Sequence, residues 1–98
     1  MKIHNWTFEE NRYCVEQAFE NFVINKENDF ETVIFKLYLH FDGAIKKGSL
    51  KMKLQNIKYL FNKYNVPNTL YLGELQNTSE DNEYAFIAVC KKYLFKKV

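Results

Sequence analysis

Residues 49–64 read SLKMKLQNIKYLFNKY and have the clearest periodicity in the chain. Their large apolar side chains recur every three or four positions, at Leu50, Leu54, Ile57, Phe61 and Tyr64. That spacing places them on one side of an α-helix. Ser49 belongs to a residue type that caps helices, and the Asn-Val-Pro-Asn stretch at 65–68 is typical of a turn. The pattern therefore predicts a helix that Ser49 caps and that ends near Tyr64.

A first helix is predicted close to the start of the chain. Thr7-Phe8-Glu9-Glu10 has the pattern of a capping box. In this motif the Thr hydroxyl accepts the backbone N–H of the Glu three residues later, and the carboxylate of that Glu accepts the backbone N–H of the Thr. The apolar residues behind it predict a helix over about 7–24. Trp6 stands just before the cap, and we expect its large ring to fold back onto the core.

The segment after Asn28-Asp29 fits two structures. Its apolar residues from Val33 to Phe41 alternate as in a strand, but they also fit one side of a helix. The length of the segment, the acidic cap at its start and Gly43 as a stop favour the helix. We therefore predict a second helix here.

The composition also favours helices. The chain has 98 residues, which suits one domain, and 17% of them are aromatic, enough for a bulky core. Its three Gly and one Pro are too few for a turn-rich β-sandwich or barrel. A last helix is predicted over about 79–96, since acids fill its first turn and lysines its end. We predict a single all-α, compact four-helix domain over 1–98, with a trihelical core at about 6–64, a packed connector at 65–78 and the C-terminal helix.

Several classes of function lack their usual motifs in this sequence. It contains no metal-ligand spacing, no Gly-rich phosphate loop and no Ser/His/Asp set, so we expect no enzyme activity, catalytic residue, metal or cofactor. Cys14 and Cys90 lie among apolar neighbours, where buried, reduced thiols are expected, although the sequence leaves a disulfide between them open. No apolar run of signal-peptide or membrane length is present, and we therefore expect a cytoplasmic protein without membrane contact.

The charges are unevenly distributed along the chain. Residues 1–42 have a net charge of −4, residues 43–66 have +6 without a single acid, and residues 67–98 are balanced. Because the whole chain has a net charge of only +2, such a basic block predicts a surface that binds something anionic.

Part of that block forms a stripe beside the apolar side of the third helix, at 100° per residue. The stripe consists of Lys47, Lys51, Gln55, Lys58 and Asn62. Lysines neutralise phosphates, and Gln and Asn offer paired donor and acceptor groups to an adenine edge in the major groove. Lysine lacks the fork of arginine, so we expect affinity rather than stringent base discrimination. Two alternatives stay open: an ordinary solvated helix surface, for which lysine is a good residue, and a protein partner.

Two short motifs follow one another along the chain: Trp6-Thr7-x-Glu9-Glu10 and Ser49-Leu50-Lys51-Met52-Lys53-Leu54-Gln55-Asn56-Ile57. Together they resemble the helical domain found ahead of the nuclease domain in bacterial restriction-type HNH endonucleases. In that family W-[ST]-x-E-E comes first, and S-[IVL]-x-[MF]-K-x-x-N-[IF] follows a second helix. The arrangement is similar to Myb/SANT and other helix-turn-helix modules. The resemblance covers about residues 6–64 and does not extend to a nuclease, since the two histidines, His4 and His40, form no HNH-like set.

The resemblance implies a helix-turn-helix-like core whose third helix is in the recognition position of a small stand-alone DNA-binding protein. The candidate contacts to double-stranded DNA are then Lys46, Lys47, Ser49, Lys51, Lys53, Gln55, Asn56, Lys58 and Asn62. Asn56 lies off the stripe, and its alternative role is to bond the backbone and brace the fold. A homodimer through the C-terminal helix is left open.

A second hypothesis is a protein partner. A nuclease-associated domain that stands alone at this size fits a phage or mobile-element protein that inhibits a host defence nuclease, as an anti-CRISPR-like inhibitor would. Its basic helix would cover an acidic surface of a host nucleic-acid-processing protein. Alternatively, its acidic residues 1–42 would compete with nucleic acid for a basic channel.

Overall fold

The protein is all-α, as the sequence predicted. The computed structural model describes residues 4–76 and 78–94, and within them the chain forms four α-helices. These are α1 (Phe8–Phe19), α2 (Phe30–His40), α3 (Lys47–Lys63) and α4 (Glu80–Leu94). The end predicted for the last helix, near residue 96, lies outside the described residues.

The first helix begins at the predicted capping box. The Thr7 hydroxyl accepts a hydrogen bond from the Glu10 N–H at 3.1 Å, and the Glu10 carboxylate accepts one from the Thr7 N–H at 2.9 Å. After α1 the chain continues into a single π-helical segment, Glu20–Ile24. The helical stretch therefore ends where the sequence predicted, although its last turn is wider than an α-helical one.

Burial resolves the ambiguity of the second segment in favour of a helix. The Asp29 carboxylate caps α2 by accepting the Glu31 N–H at 3.1 Å. Val33 and Leu37 are buried, whereas Phe35 is half exposed and Leu39 more than half exposed. A strand would have placed all four on the same face, so this burial pattern identifies a helical face.

The prediction that Ser49 caps the third helix is wrong. α3 begins at Lys47, with Lys46 in extended conformation as the N-cap residue, and the Leu50 N–H bonds the Lys46 carbonyl at 3.0 Å. Ile45 and Leu50 flank this start at the spacing of a hydrophobic staple, and both are buried in the core. Burial of Ile45 and Leu50 therefore fixes the first residue of α3 at Lys47, two residues before Ser49.

The connector after α3 is packed on the protein. Val66 is 5% exposed and Leu70 is fully buried. Thr69 donates its N–H to the Phe22 carbonyl at 2.8 Å, and its hydroxyl donates to the Glu27 carbonyl. These bonds supply donors to carbonyl groups of the π-helical segment and of the chain after it, and so tie the connector to the first helix.

Three phenylalanines join the helices at the centre of the core. Phe19 of α1, Phe61 of α3 and Phe86 of α4 are fully buried, with ring centroids 5.2, 5.3 and 5.6 Å apart. Tilted and edge-to-face contacts of this kind are the favoured geometry for aromatic pairs. α1 packs mainly against α4 and α2 against α3, and α3 contacts all three other helices. The basic helix is therefore fixed in place along its apolar side.

Candidate nucleic-acid interface

The N-terminal half of α3 presents three lysines to solvent. Lys46, Lys47 and Lys51 are all exposed, and residues 43–66 include no acid that could neutralise them from within the segment. Lys46 is the N-cap residue, so the positive end of the helix dipole lies among these amines. Ser49, in the same turn, is half-buried. This end of α3 combines three cationic side chains with a favourable backbone dipole.

A groove of about 400 Å³ runs between this half of α3 and the start of α2. It is lined by Phe30, Glu31, Ile34, Phe35, Lys47, Gly48 and Lys51. Gly48 leaves the α3 side of the groove open, since a Cβ at this position would meet no heavy atom within 4 Å apart from its two chain neighbours and the backbone of its own helix. The groove is therefore bounded by aromatic rings on one side and by amines on the other, with a single carboxylate.

The amines and the rings are close enough to interact directly. The Lys47 Nζ atom lies 5.3 Å from the centroid of the Phe35 ring and 5.1 Å from that of Tyr38. The Lys51 Nζ atom lies 5.9 Å from the centroid of Phe30. Cation–π contacts at these distances hold the ammonium groups over the ring faces without neutralising their charge.

The C-terminal half of the stripe is more polar and less exposed. Gln55 and Lys58 are half-buried, and Asn62 is exposed. The Lys58 ammonium donates to the Asn68 side-chain oxygen at 3.0 Å, a neutral partner that leaves its positive charge in place. Lys58 and Asn62 border a second depression, of about 410 Å³, at the turn that follows α3.

Lys53 does not belong to this surface, contrary to the sequence prediction. Its side chain is 5% exposed, its ammonium donates to the Asn11 Oδ1 atom at 2.6 Å, and it lies 4.5 Å from the centroid of the Trp6 ring. Burial lowers the pKa of Lys53 to about 8, against a counteracting effect of Cys14. Its amine is occupied inside the protein, so we remove Lys53 from the candidate contacts.

Two further positions of the segment are also engaged by the fold. The Lys63 ammonium forms an ion pair with Glu83 at 2.6 Å. This hydrogen bond raises the pKa of Lys63 and, seen from the other partner, lowers the pKa of Glu83. Asn56 is half-buried. The six lysines of residues 43–66 are thus divided into four whose charge has no acidic partner in the described chain, one in an ion pair and one that is buried.

The residues of α2 that complete the groove were not among the predicted contacts. Phe30 was predicted only as part of the apolar side of the second helix and Phe35 only as part of the alternative strand, and Phe35 is 50% exposed. The helical pattern itself indicated that Phe35 is exposed. If Val33, Ile34 and Leu37 form the inner face of the helix, Phe35 lies on its outer side. Glu31 was considered only as part of a cap.

The described residues offer no metal site. They contain no group of three or more His, Cys, Asp or Glu side chains arranged to hold a metal ion. Across the same part of the chain, every helix is too short or too polar to cross a bilayer. Both cysteines are free thiols, Cys14 buried and Cys90 half-buried.

Fold and surface together define a class: a small all-α domain with a lysine-rich helix beside an aromatic groove. No protein-family model, no curated protein and no solved structure matches the chain. The resemblance to the helical domain of HNH endonucleases therefore remains a prediction from the two sequence motifs.

Proposed function

We propose that the protein binds double-stranded DNA through phosphate contacts from the lysines of α3. The observation that carries this proposal is the placement of Lys46, Lys47, Lys51 and Lys58 along one helix, each without an acidic partner in the described chain. Lysine amines neutralise phosphates regardless of base sequence and release the counterions that surround DNA.

The dimensions of the stripe suit a duplex. At about 1.5 Å per residue, α3 rises roughly 22 Å between Lys47 and Asn62. That length matches the rise of about six base pairs at 3.4 Å each. The exposed Asn62 and the half-buried Gln55 are the amide side chains on this stripe, and they supply the capacity for base contacts. Phosphate contacts outnumber base contacts, so affinity exceeds sequence discrimination.

A charge reversal tests the proposal. The double variant Lys47→Glu/Lys51→Glu lowers the affinity for a short duplex by about a hundredfold at low salt, because two phosphate contacts are replaced by repulsion. The matched control is Lys26→Glu/Lys91→Glu, which changes the net charge by the same amount at two exposed positions outside the stripe. Fluorescence anisotropy measures both, with circular dichroism to verify the helices. An equal loss in the control would show that net charge, not this surface, determines binding.

A second candidate function is contact with a host nucleic-acid-processing protein, including anti-CRISPR-like inhibition of a defence nuclease. It is favoured by the exposure of two large apolar side chains, Leu39 of α2 at 56% and Met52 of α3 at 55%. Apolar side chains do not bind phosphates, but they can pack against a protein partner. Capture from host lysate before and after nuclease digestion separates the two functions. Retention of one defined acidic protein after digestion supports this candidate, whereas loss of all bound material supports DNA binding.

A further inference from the structure

We infer that the groove between α2 and α3 holds one unpaired nucleobase of a DNA strand, with guanine preferred, while Lys47 and Lys51 hold the neighbouring phosphates. The inference rests on the proposed function and adds a substrate class to it: duplex DNA that carries an unpaired base. Three features of the groove lead to it, namely its size, its aromatic wall and its single carboxylate.

The size of the groove suits one nucleotide. Its volume of about 400 Å³ falls within the range of about 300–1,000 Å³ that is typical of small-ligand sites. A base pair inside a duplex cannot enter such a space, but a base that leaves the stack can. The groove lies directly beside the exposed lysines, so a strand held by those lysines passes its mouth.

The aromatic wall suits a base rather than a phosphate. Phe30 and Phe35 both line the groove, and Phe35 is half exposed. Exposed aromatic faces beside lysines are the arrangement by which proteins bind unpaired bases, since the base stacks on the ring and the amines take the backbone. Lys47 and Lys51 lie over these rings, each within 6 Å of a centroid, so a base that stacks on a ring takes the place of the ammonium group, which then contacts the neighbouring phosphate.

The carboxylate selects among ligands. Glu31 lines the same groove, and within residues 4–76 and 78–94 its side chain takes part in no hydrogen bond or ion pair. A carboxylate repels phosphates and acidic peptides but accepts hydrogen bonds from N–H groups. The pairing edge of guanine presents two adjacent N–H donors, whereas thymine presents one donor between two carbonyl oxygens. Glu31 therefore favours guanine over thymine and disfavours an acidic peptide.

The experiment compares four duplexes of equal length by fluorescence anisotropy at one salt concentration. One is fully paired, and the others carry a single bulged guanine, a bulged thymine or a bulged abasic site. We expect the guanine bulge to bind about tenfold more tightly than the abasic bulge, with thymine in between. Free guanosine monophosphate is the fifth ligand, and we expect it to compete only at far higher concentration, because it lacks the flanking phosphates.

Three variants connect that preference to the groove. Gly48→Leu fills the groove from a position with open space around its Cβ, and Phe35→Ala removes the exposed ring. Both are expected to abolish the tenfold preference for the guanine bulge over the abasic bulge. Glu31→Gln reduces the discrimination between guanine and thymine. Tyr84→Ala, which deletes a ring that is 62% exposed on α4, is the matched control and changes nothing.

The outcomes separate this inference from the proposed function. A guanine bulge that binds no better than the abasic bulge, or a preference that survives Gly48→Leu, overturns the inference while paired-duplex binding upholds the proposed function. Guanosine monophosphate that binds as tightly as the bulged duplex identifies a free-nucleotide site and also overturns it. If no duplex binds at low salt, both proposals fail.

Discussion

The ammonium group of Lys53 on α3 donates a 2.6 Å hydrogen bond to the Asn11 side chain on α1, forty-two positions away in the sequence. Asn11 is 1% exposed and Lys53 is 5% exposed, so the bond lies inside the protein. A buried ammonium group is costly unless an acceptor and a favourable ring contact compensate it, and here Asn11 and Trp6 do so. The pair connects the two helices at their polar positions within an apolar interface.

The strength of this pair is measurable in a double-mutant cycle. Asn11→Ala leaves a buried charge without its acceptor, so we expect a loss of about 2–4 kcal/mol in the free energy of unfolding. In the Lys53→Met background the same change costs less, and the coupling energy is expected to be about 2 kcal/mol. Urea unfolding followed by circular dichroism gives both values. A coupling energy near zero would contradict a buried, charge-assisted bond.

Lys53 also predicts how stability depends on pH. Its pKa in the folded protein is about 8, below the ordinary value of 10.5, because burial penalises the charged form. Between these two values the unfolded chain binds more protons than the folded one, so the free energy of unfolding rises with pH. Burial raises the pKa of Cys14 from 9.0 to about 12, which has the opposite effect above pH 9. The rise is therefore expected between about pH 7 and pH 9, and it amounts to about 1 kcal/mol.

Unfolding in urea across that pH range tests the assignment. Lys53→Met is expected to remove the rise, whereas Lys91→Met, at an exposed position, is expected to preserve it. If the wild type and Lys53→Met have the same slope between about pH 7 and pH 9, a group other than Lys53 titrates.

Thr69 is predicted to hold the connector on the first helix. Its hydroxyl has one hydrogen, which it donates to the Glu27 carbonyl, and the same oxygen lies 3.2 Å from the Phe22 carbonyl that accepts the Thr69 N–H. Thr69→Val keeps the shape of the side chain and removes the hydroxyl, so we expect a loss of about 1–2 kcal/mol in the free energy of unfolding. Thr32→Val, at an exposed position on α2, is a control in which a single hydrogen bond to Asp29 is lost at the surface. Equal, small losses in the two variants would contradict an anchoring role for Thr69.

Local signals in the sequence were sufficient to predict the helices. The Thr7 capping box, the Asp29 cap and the apolar periodicity of residues 49–64 act over one or two turns and were each found in the structure. The N-cap of α3 was placed three residues late, at Ser49 instead of Lys46, because the Ser49 hydroxyl was weighed above the apolar pair Ile45 and Leu50. Burial of that pair outweighs the bond that a serine cap would have made.

The candidate site was predicted less completely, for two different reasons. The burial of Lys53 was available from the sequence, because at 100° per residue it falls between Ile57 and Leu60 on the apolar side of α3. The ion pair of Lys63 with Glu83 was not available, since it depends on how α3 and α4 pack together. The groove likewise depends on the packing of α2 against α3, which the helical pattern of a single segment does not specify.

The salt dependence of duplex binding tests the central claim most directly, namely that four lysines of the α3 segment contact phosphates. Lys46, Lys47, Lys51 and Lys58 together predict a slope of about −3.6 in a plot of log affinity against log salt concentration. In Lys47→Glu/Lys51→Glu the slope is expected to fall to about half that value. A wild-type slope near zero, or a slope that this double variant leaves unchanged, would contradict the claim.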